Sequence, residues 1–258
     1  MAAPSLVERL AAAYGGRDVV TPRPGELPDT IEGAEALQDA WMPLLGATGG
    51  YKLGATIPAV REALNLPRAF FAPIPRARIF PDGASVPEFV ARQTGVECEY
   101  GFRLGRDLPA GTDPLDEGTV RAAFDAVLPA IEIPGTRFSR LAEYAGVGIV
   151  ADAGALGSLV LGAPIEGIDV ESLGDAPVTL SVDGETVVTG SGAVMDGGAF
   201  GPIHAFVNRA RARGLSLRAG EVVVTGSCTG YQVVERGREI AASFAALSAG
   251  VTMRFAPA

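Results

Sequence analysis

Lysine is almost missing from this chain: among 258 residues and 21 basic side chains, Lys52 is the one lysine and all the others are arginine. A chain that tolerates guanidinium throughout marks Lys52, in GGYKLG, as a place where a compact, deprotonatable ammonium is needed. Histidine is equally scarce. His204 stands alone, which excludes a multi-histidine metal site, and its place at a helix start suits a solvated side chain. Two cysteines, Cys98 and Cys228, do not make a disulfide framework and point to a reducing cytoplasm. Positive charge is short as well. A net charge of -9 with no basic stripe argues against a nucleic-acid backbone or an anionic membrane as partner. No apolar run approaches the roughly 20 residues that span a bilayer, and the N-terminal residues do not read as a secretory signal.

What is present is core-forming. Hydrophobic residues make up 48% of the chain, and 34 glycines and 19 prolines are spread without a period, as in a fold with many turns and strands. Periodicity predicts helices over 4–15, 32–45, 58–64 and 199–213. Strands are expected at 51–54, 95–104, 126–133, 148–150, 156–161, 221–225, 232–234 and 251–255, with a hairpin turning at Asp183–Gly184. Residues 66–89, rich in proline, read as an irregular cover or short edge strands. The expectation is an α+β fold in one structural unit, with a helical region over 1–65 packed on a β-rich catalytic region over 66–258.

The sharpest local pattern is VECEYGF. On a strand, Glu97 and Glu99 share one face and Cys98 takes the other. Two adjacent carboxylates repel unless a cation sits between them. Glu132, in AVLPAIEIPG, lies in an apolar setting where an isolated charge is expensive. These residues are either solvated surface glutamates or a hard-oxygen site suited to Mg²⁺ or Mn²⁺.

Four segments, GYKLGATIPAVREAL, VECEYGFRLGRDL, LPAIEIPGTRF and VVTGSCTG, resemble in order and spacing the fumarylacetoacetate hydrolase superfamily. The likeness is strongest to its 2-oxopent-4-enoate hydratases and 4-oxalocrotonate decarboxylases. It spans nearly the whole chain, with Gln38 in the place the family leads one to expect. It implies a mixed β-sheet roll with N-terminal helices, commonly assembled as a homo-oligomer. By the resemblance, Glu97, Glu99 and Glu132 bind Mg²⁺ or Mn²⁺, and Lys52 and Asp152 serve catalysis. Arg137, Ser227 and Thr229 would bind substrate. The implied activity is hydration of a short 2-oxo or 2-hydroxy-dienoic acid in aromatic catabolism. Decarboxylation comes second, and a C–C hydrolase or tautomerase third. A catalytically silent subunit partnering another lyase is a further possibility, against which retention of the carboxylates and Lys52 speaks.

The chain departs from the family in three places. FFAPIPRARIF puts Arg76 and Ala77 where acids are expected; Arg76 would bind a second substrate carboxylate bidentately or belong to the surface. VADAGALG keeps Asp152 but carries Ala153, Ala155 and Leu156 in place of polar residues. Gly197, Gly198 and Ala199 replace the family's G-[DH]-P. These changes make the acid–base surroundings more apolar, so a different substrate or reaction on the same scaffold is plausible. No histidine occurs between residues 55 and 75, which counts against the superfamily's histidine-assisted hydrolysis.

Overall fold

A computed structural model describes residues 3–16, 18–87 and 95–256. In chain order the elements are α1 (Leu6–Tyr14), α2 (Ile31–Trp41), β1 (Thr48–Gly54), α3 (Pro58–Ala63), β2 (Phe70–Pro75), β3 (Ile79–Pro81) and β4 (Ala84–Val86). Then follow β5 (Gly95–Leu104), α4 (Glu117–Arg121), β6 (Phe124–Ile133), α5 (Ala145–Ala151), β7 (Ser158–Leu161), β8 (Val178–Val182) and β9 (Glu185–Gly190). The chain closes with α6 (Gly201–Ala212), β10 (Val222–Val224), β11 (Gln232–Val233), β12 (Ile240–Phe244) and β13 (Ala249–Phe255).

Two mixed sheets carry the fold. One has eight strands, in the order β2-β1-β10-β5-β6-β7-β3 with β11 added to β5; the other has five, in the order β4-β13-β12-β8-β9. Between them lies the larger core. Val96, Cys98, Tyr100 and Phe102 of β5 meet Phe244 and Met253 of the second sheet and Ile203 and Phe206 of α6. The opposite face of the large sheet carries Ala130, Val222 and Val224, and helices α1, α2 and α5 cover it with Leu10, Trp41 and Val150. Period-2 alternation thus sends one row of β5 into the inter-sheet core and the other, with Glu97 and Glu99, toward the helical side.

Local signals explain the ends of these elements. Ser5 and Glu8 form a reciprocal capping box at α1, and Thr30 and Asp116 cap α2 and α4. The prolines of β2 are tolerated because β2 is an edge strand. Asp183 and Gly184 both have positive φ, as a two-residue hairpin turn requires.

Several expectations need correction. Residues 148–150, read as a strand from their β-branched residues, belong to α5, which packs on α2. The division at 65/66 does not follow the sheet, since β1 lies before it yet pairs with both β2 and β10. Strand β12, between β8 and β13, escaped the sequence reading. Glu88 and Phe89, at the end of the proline-rich stretch, lie outside the described residues. His204 is half-buried rather than solvated, with Nε2 2.9 Å from the Leu115 carbonyl and 3.1 Å from Asn208. Among the described residues no helix is long and apolar enough to cross a membrane.

Candidate metal centre and substrate cavity

Register builds the site. In the β5–β6 ladder Glu97 stands directly opposite Glu132, and Glu99 opposite Ala130, so all three carboxylates emerge on one face. One oxygen from each lies within 4.8 Å of the others. Glu99 and Glu132 are buried and Glu97 is half-buried. Lys52 reaches the same face from β1 and is 4% exposed. Its ammonium forms a short ion pair with Glu132 Oε1 and donates to the Gly154 carbonyl at 2.8 Å.

Glu99 is oriented from the other side by the Gly226 N–H, at 2.8 Å. The sequence achieves this by interrupting the β10 ladder. Between β10 and β11, Thr225 Oγ1 accepts from the Tyr100 N–H and Thr229 Oγ1 from the Cys98 N–H, replacing backbone acceptors. Gly226 sits in this connection at φ +92°, where a Cβ would collide with the Thr56 hydroxyl.

The electrostatics are those of an under-neutralised anionic pit. Burial, with Glu132 adding repulsion, pushes Glu97 up to about 7 against the opposing pull of Lys52 and Ser227. Burial and the charges of Glu132 and Glu97 push Glu99 well above the carboxylate range. Burial opposes the Lys52 ammonium, but Glu132, Glu97 and Glu99 together outweigh it and hold its pKa above the ordinary value. Three carboxylates face one ammonium, and Glu132 Oε2 is buried without a hydrogen-bond partner. Hard oxygen donors, surplus negative charge and an orphaned buried oxygen fit a divalent cation.

A cavity of about 320 Å³ opens on this cluster. Ser227 lines it, as does the Lys52–Gly154 contact; the remaining wall is chiefly apolar, with Ile57, Val60, Leu64 and Phe70. The apolar wall was not foreseen in the sequence. Its only signal was the run of apolar residues on the short helix α3, which has no buried position of its own.

Other expected site residues lie elsewhere. Arg76 is exposed at the opposite end of β1, beside Gly49, and does not reach the cavity. Thr229 spends its hydroxyl on the Cys98 N–H. Arg137 and Asp152 form a fully buried pair, with the Arg137 guanidinium over both the Tyr14 and the Trp41 rings. They hold the turn that presents Gly154. Ala153, Gly154 and Ala155 all have positive φ, a conformation costly for alanine. Arg137 donates to carbonyls at both ends of this turn, Asp152 and Leu156. Cys98 and Cys228 are free and buried.

Residues 52–255 match the family described as fumarylacetoacetate (FAA) hydrolase C-terminal. The 2-keto-4-pentenoate hydratase of Paraburkholderia xenovorans is 36% identical over 196 residues, covering 73% of this chain and 69% of that protein. The 2-keto-4-pentenoate hydratase of Paraburkholderia phymatum is 29% identical over 231 residues, covering 86% of each. A solved 4-oxalocrotonate decarboxylase from Pseudomonas putida, complexed with magnesium and adipate, superposes with a TM-score of 0.83 at 23% identity, covering 97% of this chain and 95% of that one. The carboxylate cluster, the Lys52 contact and these likenesses agree: the chain belongs to the fumarylacetoacetate hydrolase family, in the branch of 2-keto-4-pentenoate hydratases and 4-oxalocrotonate decarboxylases.

Proposed function

We propose that this protein is a divalent-metal-dependent lyase, a hydratase of a 2-hydroxy-2,4-dienoate, with Mg²⁺ or Mn²⁺ held by Glu97, Glu99 and Glu132. The observation that carries the reading is the convergence of three carboxylates and one lysine on a closed face, with Glu132 Oε2 left unpaired. The kinship with proteins named as 2-keto-4-pentenoate hydratases supports the reaction.

A divalent cation in this cluster would supply a Lewis acid for a chelating 1-carboxylate and 2-oxygen. The chain's own groups do the rest. Lys52 has three N–H donors, two of which are committed to Glu132 and Gly154. The third is left for a substrate oxygen, where a fixed ammonium stabilises enolate charge. The carboxylates of Glu132, Glu97 and Glu99 raise the Lys52 pKa against its burial, which favours the ammonium as a fixed positive charge beside the substrate oxygens. The Gly226 N–H keeps Glu99 in place, and the Ser227 hydroxyl lies beside Glu97. The apolar wall lowers the local dielectric and strengthens each of these interactions.

Loss of carbon dioxide from a far carboxylate is the second reading, since it uses the same head-group site. The first test is calorimetric titration of Mg²⁺ into metal-stripped protein, with and without oxalate, on the parent and on Glu97→Ala. Binding that oxalate strengthens and Glu97→Ala abolishes supports a chelating site. No binding in any arm removes the metal-lyase reading.

A further inference from the structure

Thr56 is the one polar residue in GATIPA, the segment that leads from β1 into α3, and it lines the cavity while only 3% exposed. Its backbone is pinned. The Thr56 carbonyl accepts from the Asp196 N–H at 3.1 Å and from Arg61 at 3.2 Å, and Arg61 also bonds the Ala55 carbonyl at 3.2 Å and Asp196 Oδ2 at 2.8 Å. Ala55 has φ +55°, a left-handed conformation costly for alanine, so this turn is held against strain. The Thr56 hydroxyl itself makes no hydrogen bond among the described residues. It lies against Gly226, whose N–H orients Glu99: a Cβ on Gly226 would stand 2.4 Å from Thr56 Oγ1. A pinned, buried hydroxyl with no protein partner is costly unless something in the cavity bonds it.

The other polar groups that line the cavity among the described residues have tasks at the carboxylate cluster. Lys52 bonds Glu132 and the Gly154 carbonyl, and the Gly226 N–H bonds Glu99. Ser227 lies beside Glu97. Tyr231 is 44% exposed. Thr56 is thus the buried hydroxyl next to the cluster but not engaged by it, and Ile57 and Val60 continue the lining as apolar carbon.

We infer that Thr56 is a catalytic residue whose hydroxyl holds the water that adds to the substrate. This deepens the proposed function and rests on its hydratase reading. In the 2-oxo-3-enoate tautomer of the dienoate, C3=C4 is conjugated with the 2-oxo group, which makes C4 electrophilic. The water oxygen bonds C4, the π pair of C3=C4 moves to form C2=C3 and an oxyanion at the 2-oxygen, and C3 takes up a proton as the added oxygen gives one up. The elements of water are added, and nothing is oxidised or reduced. A threonine hydroxyl both donates and accepts. Thr56 therefore orients the water oxygen toward C4 without acting as a base, and such positioning is worth on the order of 10²-fold in rate.

The experiment follows formation of the 4-hydroxy-2-oxo acid from 2-hydroxypenta-2,4-dienoate and 2-hydroxyhexa-2,4-dienoate by the Mg²⁺-loaded protein. Thr56→Val keeps the shape and removes the hydroxyl; it should lower kcat by roughly 10²-fold with KM little changed. Thr56→Ser should restore most of that rate. Oxalate-strengthened Mg²⁺ binding, measured by calorimetry on each variant, reports that the head-group site is intact; Thr56→Ala replaces Thr56→Val if that site is lost. A Thr56→Val protein with an intact head-group site and the parent's kcat overturns the inference. So does a loss confined to KM, which would make the hydroxyl a binding contact only, and so does a Thr56→Ser protein as slow as Thr56→Val, which would assign the effect to packing of the methyl group. A parent that binds Mg²⁺ and oxalate but forms no hydroxy acid overturns the hydratase reading, and the inference with it.

Discussion

Arg137 and Asp152 are joined as a fully buried ion pair that also clamps a turn. The guanidinium bonds the Asp152 carboxylate, the Asp152 carbonyl and, at 2.6 Å, the Leu156 carbonyl. Thr136 Oγ1 donates to the same carboxylate at 2.8 Å. The pair therefore spans the three left-handed residues that present the Gly154 carbonyl to Lys52. Its influence on the cavity passes through backbone geometry.

Removal of one partner leaves the other buried and uncompensated. Arg137→Ala should cost about 3–5 kcal/mol of stability, measured by urea denaturation. Arg137→Lys keeps the charge but loses the fork that reaches both ends of the turn. It should therefore recover part of the stability while turnover stays depressed. Full activity in Arg137→Lys would show that the clamp does not position the site.

Gly154 has φ +68°, and a Cβ there would stand 2.6 Å from the Phe70 ring and 3.2 Å from Lys52 Cε. Gly154→Ala should cost roughly 1–2 kcal/mol for the left-handed backbone, before any displacement of Phe70 or Lys52. Thermal denaturation reads the first effect. A fall in kcat larger than the change in KM reads the second.

Metal affinity should depend on pH through Glu97. Its pKa near 7 means that protons compete with a cation below neutrality. Mg²⁺ binding should weaken as pH falls through about 7 and should release protons, seen as a buffer-dependent heat. The stability sign is the converse in metal-free protein. Because the folded pKa lies above the unfolded carboxylate value of 4.5, Glu97 contributes stability that is fully present below about 4.5 and lost as pH rises through about 7.

Lys52 should not be replaceable by the residue that serves everywhere else in the chain. Lys52→Met should lower kcat by about 10²–10⁴-fold, and Lys52→Arg should not restore it, because a planar guanidinium does not fit between Glu132 and Gly154. Lys52 also holds Glu97 down. In Lys52→Met, the pH midpoint for Mg²⁺ binding should therefore move upward from about 7.

The sequence made the carboxylate cluster legible because it depends on alternation within two long strands, and alternation is written residue by residue. Arg137, Asp152 and Thr229 were harder. Their family positions were recognisable, but whether a side chain faces a cavity or the wall behind it depends on packing, by Tyr14 of α1 and Trp41 of α2 for Arg137 and by β5 for Thr229. Arg76 lay beyond reach for the same reason: only the β1–β2 pairing shows that it belongs to the far end of the sheet. Residues 148–150 misled because a short β-branched run has no period long enough to separate helix from strand.

The pairing of Glu97 with Glu132 confers a rule of parity on this part of the chain. Sliding β5 by one residue against β6 would turn Cys98 into the pit and drive both glutamates into the apolar layer between the sheets. Insertions confined to the connection between these strands leave that parity intact. A single inserted or deleted residue inside either strand inverts every side chain beyond it. Length variation should thus be tolerated over residues 105–123 and selected against on both sides of them.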